Sequence, residues 1–128
     1  MTNILIVDDH TDSALMLSKM LSCARGEYDI VTSGSCREAI AAVQKRRFNL
    51  LLCDIGLPDG DGCGLLKEVL AMYPIPAIAI TGYDSPDDLQ LYRQAGFKDH
   101  VVKPFALKAI LKSIDRVIAA FEENAVID

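Results

Sequence analysis

The sequence predicts an α/β protein, a single parallel sheet covered by helices on both faces, and two observations carry that prediction. Short apolar runs of strand length alternate along the chain with segments whose apolar residues recur at helical spacing, five of each. The clearest of the runs, Leu50 to Cys53, is apolar at every position, as a strand buried on both faces requires. Strands that alternate with helices in this way run parallel, joined by right-handed crossovers.

The elements follow in order. Ile4 to Val7 is the first strand and ends in Asp8-Asp9; Ala14, Leu17, Met20, Leu21 and Ala24 then mark the inner stripe of the first helix. Tyr28 to Thr32 is a second, weaker strand closed by Ser33-Gly34. Ser35 stands three residues before Glu38 in a capping-box pattern, opening a helix with Cys36, Ala39, Ile40 and Val43 on one face. Lys45-Arg46-Arg47 close it, cations at the negative end of the helix.

After Leu50 to Cys53 comes Asp54, and Gly56, Pro58, Gly60 and Gly62 then let neither helix nor strand continue. Leu66, Val69, Leu70 and Tyr73 give the stripe of the third helix, stopped by Pro74 and Pro76. Ala77 to Ile80 is the fourth strand, ending at Thr81-Gly82. Ser85-Pro86-Asp87-Asp88 is a helix start and Gly96 its stop. Only Leu89, Tyr92 and Ala95 line this fourth helix, so it is expected to pack loosely. His100 to Lys103 is the fifth strand, broken by Pro104. The last helix carries Leu107, Ile110, Leu111, Ile114, Val117, Ile118 and Phe121 on one side.

A chain of 128 residues is one domain's worth, with a core expected over residues 3–121 and a fraying tail over 122–128. Its apolar runs are too short to span a bilayer, and no basic segment precedes an apolar one at the N-terminus, so a cytoplasmic protein without membrane contact is expected. Cys23, Cys36, Cys53 and Cys63 follow no zinc spacing and read as reduced thiols. The net charge of −5, without a basic block, argues against direct nucleic-acid binding.

In a parallel sheet the residues that follow the strands gather along one edge, where doubly wound folds bind their ligands. Here that edge collects Asp8, Asp9, Asp54, Thr81 and Lys103. Two carboxylates about 4 Å apart repel by roughly 4 kcal/mol at an effective dielectric near 20, so three of them need cations. Lys103 supplies one, and a divalent ion such as Mg²⁺, which keeps some waters and sits between carboxylates and phosphate, suits as the second. Asp54 is then placed to act as a nucleophile toward phosphorus, with the ion, Lys103 and Thr81 each taking one phosphoryl oxygen.

The stretches I-L-I-V-D-D-H, L-L-C-D-I-G-L-P-D-G-D-G, A-I-T-G and A-G-F-K-D-H-V-V-K-P-F resemble, in combination, the receiver domains of two-component response regulators, over residues 3 to 121. The resemblance implies a flavodoxin-like fold of five strands in the order 2-1-3-4-5 with five helices. It implies Asp54 as phosphoacceptor, Asp9 and Asp54 as direct Mg²⁺ ligands with the Gly56 carbonyl, and Asp8 as a ligand through water; Mn²⁺ is the alternative ion. Thr81 would follow the phosphoryl group, Lys103 would pair with it, and the peptide before Pro104 would be cis. The implied function is a switch, phosphorylated by a histidine kinase or a histidine phosphotransfer protein. Its face of fourth helix, fifth strand and fifth helix would act on a downstream protein or on a covalently attached output or kinase domain, and is also the place for a dimer. The glycine-rich acidic loop and the stretch before Pro104 are closest in character to receivers of hybrid sensor histidine kinases.

One position departs from the family. Where an aromatic switch residue is usual, three residues before the lysine, this chain has His100, which reads either as an imidazole filling the same inward pocket or as a half-exposed strand residue with no switching role. His10 reads as a loop residue. Tyr83 reads either as an aromatic overhanging the site or as an exposed loop side chain. Two other functions remain in view: an interaction-only pseudo-receiver, which would usually have lost part of the acidic set, and an aspartyl-phosphate phosphatase, which would need an acid at position 56, occupied by glycine.

Overall fold

The computed structural model describes the backbone of residues 2–127 and the side chains of residues 2–123. The chain runs β1 (Thr2–Val7), α1 (Thr11–Ala24), β2 (Tyr28–Ser33), α2 (Cys36–Lys45), β3 (Leu50–Asp54), β4 (Gly56–Leu57), β5 (Gly60–Asp61), α3 (Gly62–Met72), β6 (Ala77–Thr81), α4 (Pro86–Ala95), β7 (Asp99–Val102) and α5 (Leu107–Ile127). The main sheet is parallel throughout in the order β2-β1-β3-β6-β7, the expected 2-1-3-4-5 once the two short strands are set aside.

The alternation of strand side chains sorts the interior into two cores. On one face Leu5, Val7, Leu51, Cys53, Ala77 and Ala79 pack against α2, α3 and α4. On the other Ile4, Ile6, Leu50, Leu52, Ile78 and Val101 pack against α1 and α5. Both faces are covered, which is why the central strands are continuous apolar runs.

Five details differ from the expectations. The acidic loop does hold strand pairing: β4 and β5 form a two-residue antiparallel hairpin, too short to leave a periodic signal. In α3 the inner stripe is Leu65, Leu66 and Val69, while Leu70, at the edge of the apolar face, is 37% exposed. In α1, Ala24 faces solvent. The last strand ends at Val102, so Lys103 follows it, and α5 runs through Ile127, into the residues expected as a tail; Asp128 lies outside the described residues.

The caps explain the helix starts. Ser35 Oγ accepts from the Glu38 amide, but the Glu38 carboxylate reaches back to the Gly34 amide (2.8 Å) and so secures the turn before the cap. Ser85 and Asp88 make the full reciprocal box on α4. Asp59, in the hairpin turn, accepts from the amides of Cys36 (2.8 Å) and Arg37 (3.0 Å), tying the loop after β3 to the positive end of α2.

Candidate functional site

Strand register brings the polar strand ends together. Val7 lies opposite Cys53 and Asp54 opposite Ile80, so Asp8 and Asp54 close adjacent strands at the same level. Thr81 lies opposite Val102, and the Lys103 amide extends that pairing by donating to the Thr81 carbonyl (2.8 Å). The Lys103-Pro104 peptide that follows is cis.

Alternation then divides the set. Asp54 continues the face of Leu50 and Leu52, Asp8 that of Ile4 and Ile6, and Lys103 that of Val101, all toward α1 and α5. Their side chains meet: Lys103 Nζ donates to Asp54 Oδ2 at 2.9 Å and stands 3.7 Å from Asp8 Oδ2. Burial pulls the Lys103 ammonium down, but the hydrogen bond and charge of Asp54, with the charge of Asp8 behind them, outweigh it and hold the pKa above that of ordinary lysine. Asp54 Oδ1 accepts a longer bond from the Gly56 amide (3.3 Å).

Thr81 continues the other face, that of Ala77 and Ala79, toward α4. It is 2% exposed, and its hydroxyl accepts from the Tyr83 amide (3.0 Å) and meets the Tyr92 hydroxyl of α4 (3.0 Å). Tyr92 in turn donates to the Tyr83 carbonyl (3.0 Å). Burial pushes the Tyr92 phenol up, so it holds its proton. Thr81 thus stands at the edge, engaged with α4 rather than with Asp54.

Two residues of this neighbourhood make contacts that spacing alone does not show. His10 is the N-cap of α1, and its Nδ1 lies 3.2 Å from Asp9 Oδ1 and 3.4 Å from Asp8 Oδ1. Ligand atoms of Asp8, Asp9, His10 and Asp54 all lie within 4.8 Å of one another. Tyr92 belongs to the apolar stripe of α4, and its hydroxyl, which needs a partner when buried, is the signal for more. Of the open readings, His100 is half-buried on the α4 side of β7 and lines a cleft of about 140 Å³ with Tyr92 and Phe97. Tyr83 is 74% exposed.

The cysteines are unpaired thiols. Cys53 is buried beneath the site, where burial pushes its thiol up, and it donates to the carbonyl of Asp54 (3.1 Å). Burial, with the charge of Asp59, raises Cys36 to about 11. Neither is a thiolate at neutral pH.

Comparison with known proteins agrees with the fold. Residues 4–115 match the family described as response regulator receiver domain. The transcriptional regulatory protein ZraR of Escherichia coli O157:H7 is 31% identical over 119 residues, 91% of this chain and 26% of that protein. The chain therefore spans about a quarter of the length of the first curated relatives it matches. An uncharacterized 14.6 kDa protein of Leptolyngbya boryana is 31% identical over 96% of this chain and 95% of its own length. Among solved structures, a CheY-like receiver domain protein from Methanospirillum hungatei JF-1 superposes with a TM-score of 0.88 at 29% identity, covering 97% of this chain and 98% of that one. The chemotaxis protein CheY4 of Vibrio cholerae does so with a TM-score of 0.85 at 32% identity, covering 91% and 98%. With strand order, acidic edge and family match in agreement, the chain belongs to the response regulator receiver domain family of two-component systems.

Proposed function

We propose that this chain is a phosphorylation-controlled switch, in which Asp54 accepts a phosphoryl group from a histidine kinase or a histidine phosphotransfer protein. The observation that carries the reading is the Asp54–Lys103 pair set inside a cluster of three carboxylates, a nucleophile with its counter-charge already in place. In the transfer the P–N bond of the donor phosphohistidine breaks, the imidazole nitrogen leaves with the bonding pair, and an Asp54 oxygen forms the new P–O bond.

The donor set fits a hard divalent cation, since carboxylate oxygens dominate it and lie close enough to share one ion. Asp9, Asp54 and the Gly56 carbonyl would hold Mg²⁺, or Mn²⁺ in its place, with Asp8 reaching it through water. Such an ion, when bound, supplies positive charge to the phosphoryl oxygens. Lys103 stays with the acceptor and pairs with a phosphoryl oxygen, and Thr81 turns its hydroxyl to another. Position 56 offers no acid to speed hydrolysis, so the protein works stoichiometrically rather than by turnover, with slow self-phosphorylation and dephosphorylation at most.

The response is carried by the face of α4, β7 and α5, where α4 sets only two buried residues, Tyr92 and Ala95, into the core. A downstream protein, a second copy of the chain, or a covalently attached output or kinase domain reads that face. Among the described residues no helix is long and apolar enough to cross a membrane, and a cytoplasmic site of action fits. Incubation with acetyl phosphate and Mg²⁺ tests the reading. One phosphoryl group should appear in the intact mass of the parent and none in Asp54→Ala; equal labelling of both overturns it.

A further inference from the structure

The three groups around Thr81 form a closed hydrogen-bonded ring. Two protons, those of the Thr81 and Tyr92 hydroxyls, are shared among Thr81 Oγ1, Tyr92 OH and the Tyr83 carbonyl. Tyr92 lies 3.0 Å from both of its partners, while Thr81 Oγ1 lies 3.3 Å from the carbonyl. When Tyr92 donates to the carbonyl, Thr81 donates to Tyr92. When Tyr92 donates to Thr81, Thr81 donates to the carbonyl. In both arrangements the Thr81 proton is spent inside the ring, and the Tyr83 amide already occupies one acceptor position of its oxygen (3.0 Å).

A phosphoryl oxygen on Asp54 offers that proton a charged acceptor, and a hydrogen bond to a charged group is the stronger. Taking it removes the Thr81 donor from the ring and leaves Tyr92 to be satisfied by the Tyr83 carbonyl alone. Tyr92 is one of only two buried side chains that α4 sets into the core, so a change in its bonding is transmitted to the helix as a whole. His100 lies on the same face, but among the described residues no hydrogen bond joins it to Thr81; its backbone amide is held by Asp99 (2.8 Å).

We infer that Tyr92, acting from α4, is the positioning residue that holds the Thr81 hydroxyl in the resting protein and couples phosphorylation of Asp54 to movement of α4, in place of His100. The inference rests on the phosphoacceptor role of Asp54. It extends that role by assigning the link between site and surface to a side chain outside the fifth strand of the main sheet.

Backbone amide spectra test it. The parent, Tyr92→Phe and His100→Ala are each recorded before and after acetyl phosphate and Mg²⁺, with intact masses taken from the same samples. All three should carry one phosphoryl group. The amides of residues 86–96 should shift in the parent and in His100→Ala, and stay in place in Tyr92→Phe, while those around Asp54 shift in all three. Shifts of α4 that survive in Tyr92→Phe, or that vanish in His100→Ala alone, overturn the inference while the phosphoacceptor reading stands. A parent that takes no label overturns both. Fluorotyrosine in the parent gives a measure that needs no variant: of the four tyrosines, Tyr92 should change its resonance on labelling. A stationary Tyr92 signal overturns the inference.

Discussion

Lys103 Nζ stands 2.9 Å from Asp54 Oδ2 and 3.7 Å from Asp8 Oδ2, so one ammonium answers carboxylates from two neighbouring strands. The arrangement follows from register: residues that end adjacent parallel strands on the same face cannot avoid one another, and two carboxylates so placed are tolerable only with a cation between them.

Replacing that cation should therefore cost stability. Lys103→Met is expected to lower the unfolding free energy by on the order of 1 kcal/mol, modest because the ammonium is partly in solvent. The sign with pH is fixed by the direction of the shift. The folded pKa lies above the unfolded value of 10.5, so the stabilisation is full below that value and is lost as pH rises through the folded pKa. Urea unfolding of parent and variant should show a constant gap from neutral pH upward that closes only in strong alkali.

Mg²⁺ should do in part what Lys103 does. Thermal unfolding with increasing Mg²⁺ is expected to show a rising Tm in the parent, a larger rise in Lys103→Met, whose carboxylates lack their counter-charge, and a smaller one in Asp9→Asn. A flat titration in the parent would favour a pseudo-receiver.

Gly62 opens α3 directly under the Asp54 end of β3. A Cβ there would lie 2.7 Å from the Asp54 carbonyl oxygen and 3.1 Å from both Cys53 Sγ and the Ile55 Cα, and backbone cannot move aside as a flexible side chain can. Gly62→Ala is expected to destabilise by about 1–3 kcal/mol, as overpacked cores do, and to slow labelling of Asp54. Chemical denaturation and a labelling time course check the two effects separately.

Asp99 anchors β7 to α5. Its carboxylate accepts from Ser113 Oγ (2.6 Å) and from Arg116. Burial pushes the carboxyl up, and these hydrogen bonds outweigh it, leaving the pKa below the ordinary 3.8. A depressed carboxyl contributes stability above its unfolded pKa and loses it as pH falls through the folded one. Asp99→Asn should thus be less stable than the parent at pH 7, with the difference shrinking below about pH 4; acid titration of both by circular dichroism checks it.

Much of this was legible in the sequence for physical reasons. The sheet could be read because each of its apolar runs closes on a turn or a charged residue, and because the parallel arrangement turns those closing residues into neighbours. Asp54 and Lys103, 49 positions apart, could be placed together from that alone. The hairpin Gly56–Leu57 with Gly60–Asp61 was missed, since two residues cannot show a period. Leu65 and Leu70 flank the α3 stripe on its two sides, and spacing does not say which edge faces the sheet. His10 is the loop residue expected, at the N-cap of α1, but its approach to Asp8 and Asp9, like the hydroxyl contacts of Tyr92, depends on where a nitrogen and a hydroxyl point, which strand and helix patterns do not encode.

The most direct measurement traps the acyl phosphate where it forms. Protein incubated with acetyl phosphate and Mg²⁺ is reduced with borohydride, which converts an aspartyl phosphate to homoserine, and is then digested and sequenced by mass spectrometry. Homoserine at position 54 alone, absent when the divalent ion is chelated, is the expected result. Homoserine at position 8 or 9, or none in a protein that has gained a phosphoryl group, would contradict the assignment of Asp54.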